Sequence, residues 1–155
     1  MNRVDKTMYY LYIAHSVSLR STCLYSSYGC VIVKNDEIIS TGYNGAPRGI
    51  VDCLELGYCT RRKQLPNVKS QQNYELCKAV HAEQNAIISA SRRDMIDATM
   101  YIYGRDLIKD VVKSGMPCDI CKKMILNSGI SKVIISVANT NLEYEILEDL
   151  PNLWK

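Results

Sequence analysis

Two short patterns, His81-Ala-Glu83 and Pro117-Cys-Asp-Ile-Cys121, constrain this chain more than any other feature, because their side chains act together only at one point of a fold. The first sits in Lys78–Ile88, at what reads as the opening turn of a helix. The second places two thiols at i, i+3 behind a proline suited to the first position of a helix. On a helix Cys118 and Cys121 share a face and can grip one ion, and His81 closes a Cys2His set. Three protein ligands leave one tetrahedral position open for a water, whose pKa falls there from about 15.7 to about 7. Glu83 is not needed as a ligand and is free to take the proton from that water and hand it on. Two helix N-termini facing the site would favour thiolate and hydroxide.

Taken singly the motifs are weak. A C-x-x-C also fits a redox pair or half of a structural zinc site, and an H-x-E carries less. In this order they form the H-x-E…P-C-x-x-C signature of zinc-dependent deaminases.

A chain of 155 residues with 47% hydrophobic and 23% charged side chains is expected to form one domain over residues 1–155, with a sizeable core. The net charge of +3 does not argue for nucleic acid, and an anionic small molecule remains compatible. No apolar run approaches a membrane span and Met1-Asn-Arg-Val-Asp-Lys6 opens no signal core, so no membrane partner and a cytoplasmic location are expected. Seven cysteines, two of them committed to a metal, fit a disulfide framework poorly.

Along the chain, residues 4–20 carry an amphipathic helical stripe, with His15 a core or interface residue. Segments 29–33 and 37–41 flank Lys34-Asn-Asp36 as a hairpin, with Cys30 a buried small hydrophobe. Gly42-Tyr-Asn-Gly-Ala-Pro-Arg-Gly49 reads as a shaped loop. From Ile50 to Cys77 no periodicity is sustained, and a bound metal is one way to pin such a segment. The His81 helix is expected to run to about Arg93, followed by a strand at 98–103, a polar loop from Gly104 to Met116, the second ligand helix, a strand at 132–136 and a short helix from Glu143 to Leu150 stopped by Pro151. These elements predict an α/β fold, a three-layer α/β/α sandwich around a mixed sheet of four to five strands, with the site at strand ends.

Several motifs in sequence order resemble deoxycytidylate (dCMP) deaminases of the zinc-dependent cytidine deaminase superfamily. They are Arg20-Ser-Thr-Cys23, Val31-Ile-Val33, Ile38-Ile-Ser-Thr-Gly-Tyr-Asn-Gly-Ala-Pro-Arg-Gly49, Asp52-Cys53, Val80–Ile88 and Pro117-Cys118-x-x-Cys121, spanning roughly residues 3–137. The resemblance implies a cytidine deaminase-like fold and hydrolysis of dCMP to dUMP and ammonia with a catalytic Zn2+. By the same resemblance Asn44 contacts the nucleotide sugar, the Ala82 N–H holds the pyrimidine edge, and Glu83 shuttles protons. It further implies a homo-oligomer regulated by dCTP and dTTP near Tyr43 and Gly45. Cys23 and Cys53 occupy positions resembling a structural zinc pair in some relatives, which Cys59 and Cys77 would complete as a second structural Zn2+. The alternative for these four is a set of buried free cysteines. Tyr25 stands where relatives often carry an arginine that reaches the phosphate, leaving Arg48, with Arg20 and Arg105 behind it, to supply the cation. Competing expectations are a deaminase of another cytosine nucleotide or nucleoside, and a zinc-stabilised binding module such as a DNA-uptake accessory protein.

Overall fold

The computed structural model describes residues 2–155. Asp5 caps the first helix, α1 (Lys6–Ser18), by accepting a hydrogen bond from the Met8 N–H at 2.9 Å. Strands β1 (Ser26–Lys34) and β2 (Glu37–Tyr43) form the expected hairpin. Its two-residue turn puts Asn35 at φ 51° and Asp36 at φ 62°, the left-handed pair whose twist matches that of the flanking strands. The Tyr10 hydroxyl donates to the Asp36 carboxylate at 2.6 Å and so ties α1 to this turn.

An excursion follows, with the short helices α2 (Cys53–Leu56) and α3 (Thr60–Gln64) and a 3-10 turn at Tyr74–Leu76. Next come α4 (Ala82–Ile88), α5 (Arg92–Met95), β3 (Thr99–Asp106), β4 (Val111–Lys113), α6 (Asp119–Ser128), β5 (Lys132–Ser136), β6 (Tyr144–Leu147) and α7 (Leu150–Leu153).

The sheet runs β2-β1-β3-β5-β6, with β4 paired to the end of β3. The β3–β5 pair is parallel and the others are antiparallel, so the sheet is mixed as expected, with six strands rather than four or five. Alternate residues serve opposite layers. Val31, Val33, Tyr101, Tyr103 and Ile134 pack with Tyr10, Leu11 and Ala14 of α1. Cys30, Ile32, Met100, Ile102, Val133 and Ile135 pack under Ala82, Ala86 and Ile125 on the other face. Burial on both faces explains why β1 and β3 read as nearly unbroken apolar runs. Among the described residues no helix is long and apolar enough to cross a membrane.

Four expectations are corrected. The helix after His81 ends at Ile88 instead of Arg93, because Ser91 caps a separate turn by accepting from the Asp94 N–H at 3.3 Å. The stretch from Gly104 to Met116 is a strand end and a short strand, β3 paired to β4 through Gly104–Lys113. Glu143–Leu150 holds β6 rather than a helix, paired antiparallel to β5 from Val133–Leu147 to Ser136–Tyr144. Pro151 lies in the first turn of α7, where a missing N–H costs nothing, and it begins a helix instead of stopping one.

Two glycines set the layer spacing. A Cβ on Gly29 would strike the Ala14 carbonyl of α1, and one on Gly42 would strike the Ala82 carbonyl of α4. Both helices therefore rest directly on the β1–β2 hairpin. Ser40 donates to the Ala86 carbonyl at 2.7 Å and Asn85 to the Tyr43 carbonyl at 2.7 Å, which fixes α4 against β2.

A candidate zinc site at the strand ends

His81 is the N-cap of α4 and Cys118 the N-cap of α6, while Cys121 lies in the first turn of α6. Pro117 thus precedes the cap and does not occupy the first helical position. The His81 backbone is held on both sides of its ring. Its N–H donates to Gln84 Oε1 at 2.8 Å, and the preceding Val80 exchanges two hydrogen bonds with Gly45, at 2.8 and 3.1 Å. Gly45 is buried, with its backbone engaged in this bridge, and Tyr43 is exposed at the end of β2. The glycine-rich loop therefore helps to build the site by clamping the strand that delivers His81.

His81 Nδ1 lies 3.5 Å from Cys118 Sγ and 3.4 Å from Cys121 Sγ. Two ligands of one tetrahedral zinc, at about 2.05 Å for nitrogen and 2.3 Å for sulfur, stand about 3.6 Å apart. The donor set fits zinc in kind and in spacing. Among the described residues, only these three bring ligand atoms of His, Cys, Asp or Glu within 4.8 Å of one another as a group. Tyr74 packs edge-on against the His81 ring, with centroids 5.0 Å apart.

Electrostatics follow from burial and from the thiol pair. Hydrogen bonding from Cys121 holds the Cys118 thiol down to about 4, and the same bond pushes the Cys121 thiol well up. Contact with Cys118 raises the His81 imidazole. Glu83 is 6% exposed, and burial raises its carboxyl. A carboxyl in this environment is suited to accept a proton and give it up again within one turnover.

The cleft above these groups has a volume of about 190 Å³ and is bounded by Asn44, Tyr28 and Lys113 on one side and by Arg61, Arg62 and Tyr74 of the excursion on the other. It opens past the carboxyl end of β2 and at the start of β1, where the carboxyl end of β3 pairs, as an open α/β sheet predicts. Ala82 lines it at the first helical position. Asn44 lines it too, but the amide is largely engaged with β1: Oδ1 accepts from the Tyr28 N–H at 2.8 Å and Nδ2 donates to the Ser26 carbonyl at 2.9 Å.

Arg48 and Arg20 are exposed and do not line the cleft. Arg105 pairs with Asp110 at 2.7 Å on the opposite side of the sheet, beside His15. The cations that do line it, Arg61, Arg62 and Lys113, were not singled out by sequence. Arg61 and Arg62 lie in the stretch from Ile50 to Cys77 without sustained periodicity, and Lys113 in the segment expected as a polar loop from Gly104 to Met116. Cys23, Cys53, Cys59 and Cys77 surround one small cavity of about 20 Å³, although no three of their sulfurs converge within 4.8 Å.

Residues 4–137 match the family described as cytidine and deoxycytidylate deaminase zinc-binding region. The chain belongs to this family. A deoxycytidylate deaminase of Mycobacterium phage D29 is 37% identical over 137 residues, covering 86% of this chain and 96% of the relative. A deoxycytidylate deaminase of Saccharomyces cerevisiae is 35% identical over 129 residues, covering 83% of this chain but 36% of that longer protein. Among solved structures, the dCMP deaminase of cyanophage S-TIM5 in apo form shares the fold, with a TM-score of 0.59 at 24% identity over 85% of this chain and 82% of that one.

Proposed function

We propose that this chain catalyses the hydrolytic deamination of dCMP to dUMP and ammonia. The observation that carries this reading is the buried carboxyl of Glu83, set beside three converged ligands in the cleft. A purely structural zinc site has no use for it. The name shared by the phage and yeast relatives supplies the substrate.

Bound at His81, Cys118 and Cys121, zinc supplies the Lewis acidity that makes water a nucleophile near neutral pH. Glu83 takes a proton from the attacking water and delivers it to the ring nitrogen next to the amino-bearing carbon. It then carries a second proton to the amino group, which leaves as ammonia. Asn44 bounds the sugar side of the cleft, and the Ala82 N–H faces the pyrimidine edge. An ammonia-release assay across CMP, dCMP, dCTP, cytidine and deoxycytidine tests the reading. The expected result is highest kcat/KM for dCMP, and no release from any of the five would overturn it.

We also infer that the four cysteines around the smaller cavity hold a second, structural zinc. Four side chains that can become thiolates border one enclosed space, and they join the excursion to the Cys23 strand entry. For regulation, the exposed Tyr43 beside the buried Gly45 bridge is the proposed contact for dCTP and dTTP in a homo-oligomer. Sedimentation with and without each triphosphate tests it.

A further inference from the structure

We propose that Arg61 and Arg62 of α3 form the seat for the 5′-phosphate of the substrate, with Arg61 as the buried anion ligand and Arg62 as a second cation braced on Tyr25. This rests on the nucleotide reading above and names the residues that make the site select a nucleotide over a nucleoside.

Arg61 is 8% exposed, yet no carboxylate lies within ion-pair distance of it among the described residues. Its Nη2 reaches the Lys69 carbonyl only at 3.5 Å, and its Nε has no hydrogen-bond partner at all. The guanidinium stands 4.8 Å from the Tyr74 ring, the same ring that packs against His81. A buried, permanently charged fork without a counter-charge is strongly unfavourable unless an anion completes it. Here it faces the cleft, within which Glu83 carries the one carboxyl among the described lining residues. Glu83 is committed to proton transfer beside the metal ligands.

The second observation is independent. The Arg62 guanidinium lies 3.9 Å over the ring of Tyr25, at the mouth of the same cleft. A stacked guanidinium has already lost much of the rotamer freedom that ion pairing would otherwise cost. Tyr25, the residue that stands where a phosphate-reaching arginine was expected, thus holds an arginine delivered from elsewhere in the chain. A phosphate monoester carries between −1.5 and −2 charges near neutral pH, which two adjacent guanidinium groups match in charge and in forked geometry.

The experiment compares kcat/KM for dCMP and deoxycytidine, together with calorimetric binding of dUMP and deoxyuridine, in the zinc-loaded wild type and in variants. For Arg61→Gln the dCMP-to-deoxycytidine ratio should fall about 10- to 150-fold, the range of one charge-assisted bond, mainly through KM. Arg62→Ala and Tyr25→Leu should lower it by smaller and mutually similar factors. Where Arg61→Gln does not fold, Arg61→Lys, which keeps the charge and loses the fork, takes its place with the same expected direction. A ratio within twofold of wild type in the folded Arg61 variant and in Arg62→Ala overturns the proposal, because a merely structural arginine would depress both substrates alike. Wild-type preference for dCMP with unmoved variants sinks this inference and leaves the reaction standing. An arginine-dependent preference for dUMP over deoxyuridine in a protein that deaminates nothing keeps this inference and sinks the reaction.

Discussion

The two walls of the cleft are built by opposite means. On the catalytic wall, Ala82, Ala86 and Cys121 are fully buried and α4 meets β2 with no side chain between them at Gly42. The facing wall, from Ile50 to Cys77, contains only two helices of four and five residues and one 3-10 turn, and Arg61 is its one buried residue. It is held by cations on aromatic rings, with Arg61 on Tyr74, Arg62 on Tyr25 and Lys63 on Tyr58. Bond-making groups must be held within fractions of an ångström, which regular elements packed on a sheet provide. Groups that choose between ligands can ride on a less regular segment positioned by that scaffold.

Three experiments probe this contrast, and a fourth sets a reference outside it. Glu83→Gln should leave about one zinc at the catalytic ligands while lowering kcat by about 10²- to 10⁴-fold, since it removes a general acid–base and no ligand. Paired metal analysis and steady-state kinetics check it, and substantial residual turnover would show that the rigid wall does not house the proton carrier. Gly42→Ala should cost about 1–3 kcal/mol of stability, because the added methyl meets backbone of α4 that cannot yield without moving His81 and Glu83. Thermal melts measure the loss, and an unchanged melting temperature would mean that the wall is less rigid than described.

The softer wall is tested through its cysteines. Fully loaded protein is expected to carry two zinc ions per chain and Cys59→Ser with Cys77→Ser only one, with the smaller cost falling on dCMP affinity rather than on kcat. Elemental analysis that gives one zinc in the wild type would leave that wall held by packing alone. The smallest effect belongs to neither wall. Burial, aided by Arg105, lowers the His15 imidazole below its ordinary value of 6.5 as it packs 4.4 Å from the Tyr103 ring. The neutral form is therefore favoured on folding. His15 contributes stability above pH 6.5, and this is lost as the pH falls through its lowered folded value. His15→Gln should flatten that part of a denaturant-midpoint profile below about pH 7 without altering zinc content.

What the sequence disclosed follows the same division. His81, Cys118 and Cys121 were legible because metal ligation demands particular residue types at fixed spacings, Glu83 through its place two residues after His81, and the β1–β2 hairpin because Asn35 and Asp36 tolerate left-handed backbone. The anion-facing arginines were not, since nothing local marks Arg61 as buried. Its environment is made by Tyr74 and by the distant cleft floor. Strand β6 escaped because it is an edge strand with three of its four residues exposed, which leaves no strong alternation to read. Strand β4 is three residues long and is defined only by its pairing with β3. Gly42 and Gly45 read in sequence only as part of a shaped loop, and close packing under α4 and a bridge to Val80 become visible only in the fold.

The central position of β3 also orders events in time. The β1–β2 hairpin closes across two residues, but β1 meets β3 only when the chain folds back far enough for Ser26 to face Asp106 and Val33 to face Thr99. Cys118 and Cys121 reach His81 across only 37 to 40 residues, when α6 docks beside α4, whereas the β1–β3 closure spans more. Loop-closure entropy makes this the slow part of assembly. Until α6 docks, the chain offers zinc only scattered thiols, and tight uptake of the catalytic metal should coincide with that docking. Stopped-flow refolding with a zinc-sensitive dye would follow that coincidence directly.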